Sequence, residues 1–449
     1  MAKRNVDMLQ GSIFKGLITL TIPIMVANVM QSMFNVVDMT VLGKLANDSA
    51  VGAVGVCSML ITLCTGLLIG VSLGANVIVA KHIGAGDRQS ADKAAGSALL
   101  FAILGSLVVM ALGISCAEIF LRWMNCPPTL LPKAVLYFRL YFVSVPMLMV
   151  YNTSAAILRA IGDSKRPMYF LLTGCALKVV LNIFLIKCFN VTVEGVGIAT
   201  IISNTVSGGL AFWALTQNKE KITVGFKTLK IDFAELKKIL FVGIPAGMQS
   251  ALYSLANVVI TTAVNGFGEN ATTGISIANQ FDAILYHISC ATSYAATPYI
   301  AQNLGAGNIK RAKKALGTGI IITIAFGVSF GSLPAYFSKE LSSIMSSNPE
   351  VIRYSCQKMV LISSTYFLSG IYEVMCGAMR GLGKPIIPTV ATLVFMCLIR
   401  FVWVYVIFPL MPPDNLTFLF LIWPIGWVLA IITMLFVYFP TIGKLERSQ

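Results

Sequence analysis

The sequence is poor in charge. Of its 449 residues only 11% are Asp, Glu, Lys or Arg, whereas an ordinary soluble domain carries about 25%. A water-facing surface cannot be assembled from so few charges, which excludes a soluble globular protein. Histidine is nearly absent, with His82 and His287 alone. The ten cysteines are scattered, with no C-x-x-C pair and no metal-ligand spacing. That excludes a disulfide framework and a Cys/His metal cluster, and neither cofactor nor metal is expected. Acids are scarcer than bases, 18 against 33, which leaves a formal net charge of +15.

What fills the chain instead is apolar: 57% of the residues are hydrophobic. The long runs reach about 20 residues or more and lack the two-residue alternation of a barrel, so they read as membrane-spanning helices. Within lipid a helix satisfies every backbone N–H and C=O internally. Twelve spans are expected, at about 14–43, 50–80, 94–120, 134–158, 167–187, 194–216, 239–266, 272–301, 315–338, 354–379, 386–410 and 417–440. Lys3 and Arg4 precede an apolar stretch with no convincing cleavage site, which reads as a retained first helix.

The basic residues sort by loop. With the N-terminus in the cytoplasm, 23 of the 33 fall in cytoplasmic segments and only six (Lys44, Arg122, Lys133, Lys187, Lys339, Arg353) in outer loops. Arg139, Lys178, Lys358 and Arg400 lie within or near spans. The +15 is thus a topology signal that also suits anionic headgroups, and nucleic acid is not an expected partner. A multi-pass protein of the cell membrane, with both termini cytoplasmic, is expected.

The chain also repeats itself. His82-Ile-Gly-Ala-Gly-Asp and Asn303-Leu-Gly-Ala-Gly-Asn match at an offset of 221, as do Arg159-Ala-Ile-Gly and Arg380-Gly-Leu-Gly. Pro23 with Pro245 and Asn35 with Asn257 match at 222. Two homologous six-helix bundles are therefore expected, 1–216 and 239–449, related by a pseudo-two-fold axis along the membrane normal. An amphipathic cytoplasmic linker, 217–238, joins them with six lysines against three acids. Substrate would bind between the bundles while they rock.

A few polar residues interrupt the spans. Gln31, Asn35 and Asp38 share one face of the first helix, and Lys178 and Asn182 share one face of the fifth. Ionisable residues at such depth mark function or a static ion pair. Asp38 is the expected partner of Lys178. Glu373 and Arg400, in the tenth and eleventh spans, read as a structural pair, with a second proton site at Glu373 as the other reading. Asp282 has no obvious cationic partner and is a candidate for attracting cationic substrate or for proton transfer. Gln249, Tyr253 and Asn257 repeat the polar face on helix seven and are expected to line the cavity. Gly70-Val-Ser-Leu-Gly74 fits the G-x-S-x-G pattern of a hydrolase elbow, but it lies in an apolar helix, where small residues admit close packing. The Gly-Ala-Gly loops lack the setting of a phosphate cradle and read as tight turns.

Pro23 and Asp38 spaced as P-x(14)-D, Asn-Val-Val-Asp-Met-Thr-Val-Leu-Gly at 35–43, the two Gly-Ala-Gly loops and the two R-x-x-G turns together resemble the multidrug and toxic compound extrusion (MATE) family. The resemblance covers nearly the whole chain. It implies a twelve-helix antiporter, not an enzyme, that exports small organic, often cationic or amphipathic compounds on a Na⁺ or H⁺ gradient. It implies a coupling site at Asp38 with Thr200 and the positions held here by Lys178 and Asn182, where the family pattern has Asn and Asp. That departure favours protons over Na⁺. The absence of an acid near Gln249 resembles the DinF-type branch. The expected partners are a small-molecule substrate, protons and the bilayer, with the protein as a monomer. A flippase for lipid-linked sugars, a channel and a membrane-embedded enzyme are the competing readings.

Overall fold

Glycine marks several of the points where the helices stop. The computed structural model describes residues 6–45, 48–124, 126–189, 191–218, 220–225, 228–410 and 416–447. Among these the regular structure is helical. In chain order the helices are α1 (Ile13–Leu45), α2 (Asp48–Gly84), α3 (Arg88–Ser115), the short α4 (Ala117–Trp123), α5 (Leu131–Ala160), α6 (Lys165–Phe189) and α7 (Val193–Thr216). The second half repeats the series as α8 (Phe233–Asn265), α9 (Glu269–Gly305), α10 (Ile309–Tyr336), the short α11 (Ser338–Met345) and α12 (Pro349–Gly381). Two further apolar stretches, α13 (Ile386–Leu410) and α14 (Leu416–Arg447), complete it.

Eleven of these helices are long and apolar enough to cross a membrane. The eighth expected span lies in α9, which has ample length at 37 residues, about 55 Å at 1.5 Å per residue. It is rich in Ser, Thr, Asn and Gln, so its hydropathy is lower than its neighbours', and many of these side chains are buried, Ser289, Thr292, Ser293, Thr297, Gln302 and Asn303 among them. A helix that buries polar groups inside protein does not need an apolar surface all round.

The Gly-Ala-Gly loops are turns in both halves. Gly84 and Gly305 end α2 and α9, and Gly86 (φ +74°) and Gly307 (φ +71°) adopt the left-handed conformation that reverses the chain. The next residue caps the following helix: Asp87 accepts from the Ser90 N–H and Asn308 from the Arg311 N–H. Gly70 and Gly74 of α2 lie against Gly243 and Ile239 of α8, where an added Cβ would stand 2.4 Å and 2.2 Å from backbone oxygens. The G-x-S-x-G match is thus a helix-packing face.

The chain divides into two units. One comprises Met1–Val6 and Val26–Gly247, the other Asp7–Met25 and Met248–Gln449. Two of the three boundaries fall inside the first helix of a repeat, two residues past Pro23 in α1 and two past Pro245 in α8. Within the first unit the linker region docks on α3: Asp92 accepts from the Thr223 N–H at 2.7 Å, and Ser97 bonds the backbone of Lys230 and Asp232. Its last six residues, 233–238, are already helical. Within the second unit, Asn303 and Arg311 donate to the carbonyl of Met8, and Arg311 also to that of Gln10.

Candidate functional site

In the first unit, α1 and α6 bury a three-residue polar cluster. Lys178 and Asn182 stand one turn apart on α6, so both side chains reach the same point on α1. Lys178 Nζ donates to Asp38 Oδ2 at 2.7 Å, and Asn182 Nδ2 donates to Asp38 Oδ1 at 2.9 Å. Asp38 and Asn182 are fully buried and Lys178 is 4% exposed. Each carboxylate oxygen thus has a donor, and the ammonium cancels the charge that the interior would otherwise penalise. The Asn182 Oδ1 is buried with no hydrogen-bond partner among the described residues. Thr200 is buried in α7, but its hydroxyl donates to the Val196 carbonyl at 2.8 Å and not to Asp38. Gln31 is half-buried on α1. The side chain of Asn35 lies outside the described residues.

The second unit arranges its polar residues differently from the sequence expectation. Arg400 does not pair with Glu373. Its Nη1 donates to Asn257 Oδ1 at 2.8 Å, and its guanidinium lies over the rings of Trp423 (4.8 Å) and Tyr253 (5.5 Å). Opposite charges in one bundle pair only when their helices turn them toward each other, and Arg400 is turned toward α8. Asp282 does have a cationic partner. Lys358 Nζ lies 2.7 Å from Asp282 Oδ2 and also bonds Asn279 Oδ1. Lys358 is one of four basic residues left within or near the spans, so a search for the partner of Asp282 among those four would have found it.

The remaining candidates on α8 are engaged. Gln249 donates to Tyr372 Oη at 2.9 Å and to Cys376 Sγ at 3.4 Å. The Tyr253 hydroxyl accepts from Trp427 Nε1 at 3.2 Å. Trp423 and Trp427, both on α14, are contacts of this region that the sequence reading missed. Their only sequence signal is aromatic character on an apolar helix, which most such residues share without any role at a site.

Comparison with known proteins follows the same two-fold pattern. The MatE family model matches twice, over residues 23–184 and 245–406, at an offset of 222 at both ends. The probable multidrug resistance protein YpnP of Bacillus subtilis is 26% identical over 396 residues, 88% of this chain and 88% of that protein. The FAD transporter of Shewanella oneidensis is 23% identical over 390 residues, 86% of each chain. Among solved structures, a multidrug resistance MATE transporter of the MOP superfamily in an outward-facing conformation superimposes with a TM-score of 0.92 over 99% of both chains at 20% identity. Two matches to one family model, covering most of the chain, agree with the repeat, the apolar helices and the buried polar clusters. This chain therefore belongs to the MatE family, the multidrug and toxic compound extrusion transporters of the membrane.

Proposed function

We propose that this transporter is a proton-coupled antiporter that exports small organic, often cationic or amphipathic compounds by alternating access. The Lys178–Asp38 ion pair carries the reading. A Na⁺ site is built from several oxygen ligands, and a protonated lysine offers only donors. Here the ammonium occupies one carboxylate oxygen of Asp38 and the Asn182 amide the other. A metal cation entering this site would meet a fixed positive charge about 3 Å from its only carboxylate.

Protons suit the arrangement. With both oxygens accepting, Asp38 takes up a proton only when Lys178 withdraws, so proton binding is tied to a shift of α1 against α6. The lone Asn182 Oδ1 is an acceptor positioned for a protonated carboxyl after that shift. Thr200, Gln31 and Asn35 belong to this lobe as secondary polar groups. The repeat halves 1–216 and 239–449, joined by 217–238, act as the two lobes. The protein works as a monomer with both termini in the cytoplasm.

The test is transport in proteoliposomes with Na⁺ and H⁺ gradients imposed separately and ethidium as the probe. A proton gradient alone is expected to drive efflux, and the isosteric Asp38→Asn to abolish it at unchanged expression. Efflux driven by Na⁺ with the proton gradient collapsed, and lost in Asp38→Asn, would overturn the proton reading.

A further inference from the structure

The two units can be placed in register residue by residue. Cys175 Sγ lies 3.9 Å from the Met30 carbonyl in the first unit, and Cys397 Sγ 3.2 Å from the Leu252 carbonyl in the second. Both residues of that contact are related by 222, the offset at both ends of the family match. At the same offset Lys178 corresponds to Arg400, Asn35 to Asn257 and Asp38 to Ile260. Each unit therefore sets a cation at the same point, α6 in one and α13 in the other. Only the first unit supplies a carboxylate for it.

The helix α13 is built to present Arg400. Pro167 and Pro388 correspond at 221, Cys175 and Cys397 at 222, so one extra residue enters between Pro388 and Cys397. The chain is π-helical there, over Thr392–Leu398, and again over Trp403–Ile407. A π turn takes up one residue more than an α turn, and such turns concentrate at functional sites. Lys178 is eleven residues past Pro167, and the residue eleven past Pro388 is Ile399; were the extra residue not taken up by the π turn, Ile399 and not Arg400 would stand where Lys178 stands in the first unit.

The result is a buried charge whose hydrogen-bonding capacity is only partly used. Arg400 is 0% exposed. Nη1 is used by Asn257, but Nε and Nη2 have no hydrogen-bond partner within bonding distance among the described residues. No carboxylate among the described residues lies within ion-pair distance of it, since the acids of this unit's buried region are Asp282, paired with Lys358, and Glu373. Nε–H and Nη2–H lie side by side on one edge of a guanidinium and point the same way, the fork that receives both oxygens of a carboxylate. The faces of Trp423 and Tyr253 flank it.

We infer that Arg400, with Asn257, Tyr253 and Trp423, is a subsite for the carboxylate of an aromatic organic acid. The bound anion takes the place that Asp38 fills in the first unit. The inference that this anion is cargo rests on the export reading; the binding site itself does not. Compounds carrying both an amine and a carboxylate on an aromatic frame also fall within the class.

The experiment measures binding of 2-naphthoate and its neutral isostere 2-naphthamide to the purified full-length chain by equilibrium dialysis. The naphthoate is expected to bind at least about tenfold tighter, as a desolvated charge-assisted contact allows. Arg400→Gln is expected to erase the preference. Ile260→Asp restores in the second unit the carboxylate of the first, so it is expected to erase the preference too, while leaving thermal unfolding at or above that of the parent. This second variant keeps the test decisive if the first fails to fold. Equal binding of the two probes, or a preference that survives both variants, overturns the subsite. Complete competition by an equal concentration of chloride overturns the carboxylate class. In liposomes the two readings separate. Ethidium export with no naphthoate binding removes the subsite and leaves export standing. Naphthoate preference with no gradient-driven export of either probe removes export and leaves the subsite.

Discussion

The first unit neutralises Lys178 with an acid, and the second leaves the corresponding Arg400 without one among the described residues. Lys178 meets Asp38 at 2.7 Å, while Arg400 occupies the corresponding place in a unit whose counterpart of Asp38 is the aliphatic Ile260, and leans on an amide and two aromatic rings. A duplicated architecture has thus kept the position of the charge and changed its compensation. A carboxylate that titrates can couple to protons, whereas an uncompensated guanidinium, which never loses its proton at accessible pH, can only attract an anion. The difference teaches that alike frames can hold a cation at corresponding places and compensate it differently; on the proposed reading the two lobes have separate tasks.

The sharpest way to break that comparison is to remove each cation in turn. Lys178→Met leaves Asp38 buried without its ammonium and is expected to cost about 3–5 kcal/mol. Arg400→Met removes a charge that orphans no acid, and is expected to lie within about 1 kcal/mol of the parent or to be more stable. Detergent-phase thermal unfolding compares the two, and equal destabilisation would show that the second unit hides a compensating acid. Next in size is packing. Gly74 stands with Ile239 O only 2.2 Å from where its Cβ would lie. The corresponding residue in the second unit, at the loop offset of 221, is Ala295, which is buried. Gly74→Ala is expected to cost about 1–3 kcal/mol by forcing α2 and α8 apart. Ala295→Gly should cost only about 0.5–1 kcal/mol. The same unfolding assay separates them.

The smallest expected difference lies at the loop caps. Hydrogen bonds from Ser90, side chain first and then backbone, hold the Asp87 carboxyl below its ordinary value of 3.8. A depressed carboxyl gives its cap contribution above the unfolded value and loses it as the pH falls through the folded one. Asn308 does not titrate. Deuterium exchange over 87–93 is therefore expected to rise at acid pH relative to 308–314, after correction for the intrinsic rate. Asn308→Ala should cost about 1 kcal/mol at any pH.

Much of this was legible in the sequence, for identifiable reasons. Asp38 and Lys178 stood out because an ionised group in an apolar run needs a partner, and few candidates exist. The tight turns at Gly86 and Gly307 were legible because glycine carries that geometry in itself. Arg400 and Glu373 were expected to pair by the same logic, and this failed because charge balance says nothing about which way a helix is rotated. Asp282 was left without a partner although Lys358 lies beside it, because their helices, α9 and α12, are 76 to 79 residues apart in sequence where these side chains meet.

Composition and hydropathy determined that this protein lives in a bilayer, and the near-constant offset of its landmarks determined that it was built twice. Those properties are written along the chain, one residue at a time or one repeat at a time. The tertiary structure decided which buried charges meet. A single extra residue turns everything beyond it by about 100° on an α-helix, and the π turn in α13 takes up such a residue. It aims Arg400 at α8 and leaves the fork of its guanidinium without a carboxylate. A count of charges in spans does not register that rotation, and the packed helices do.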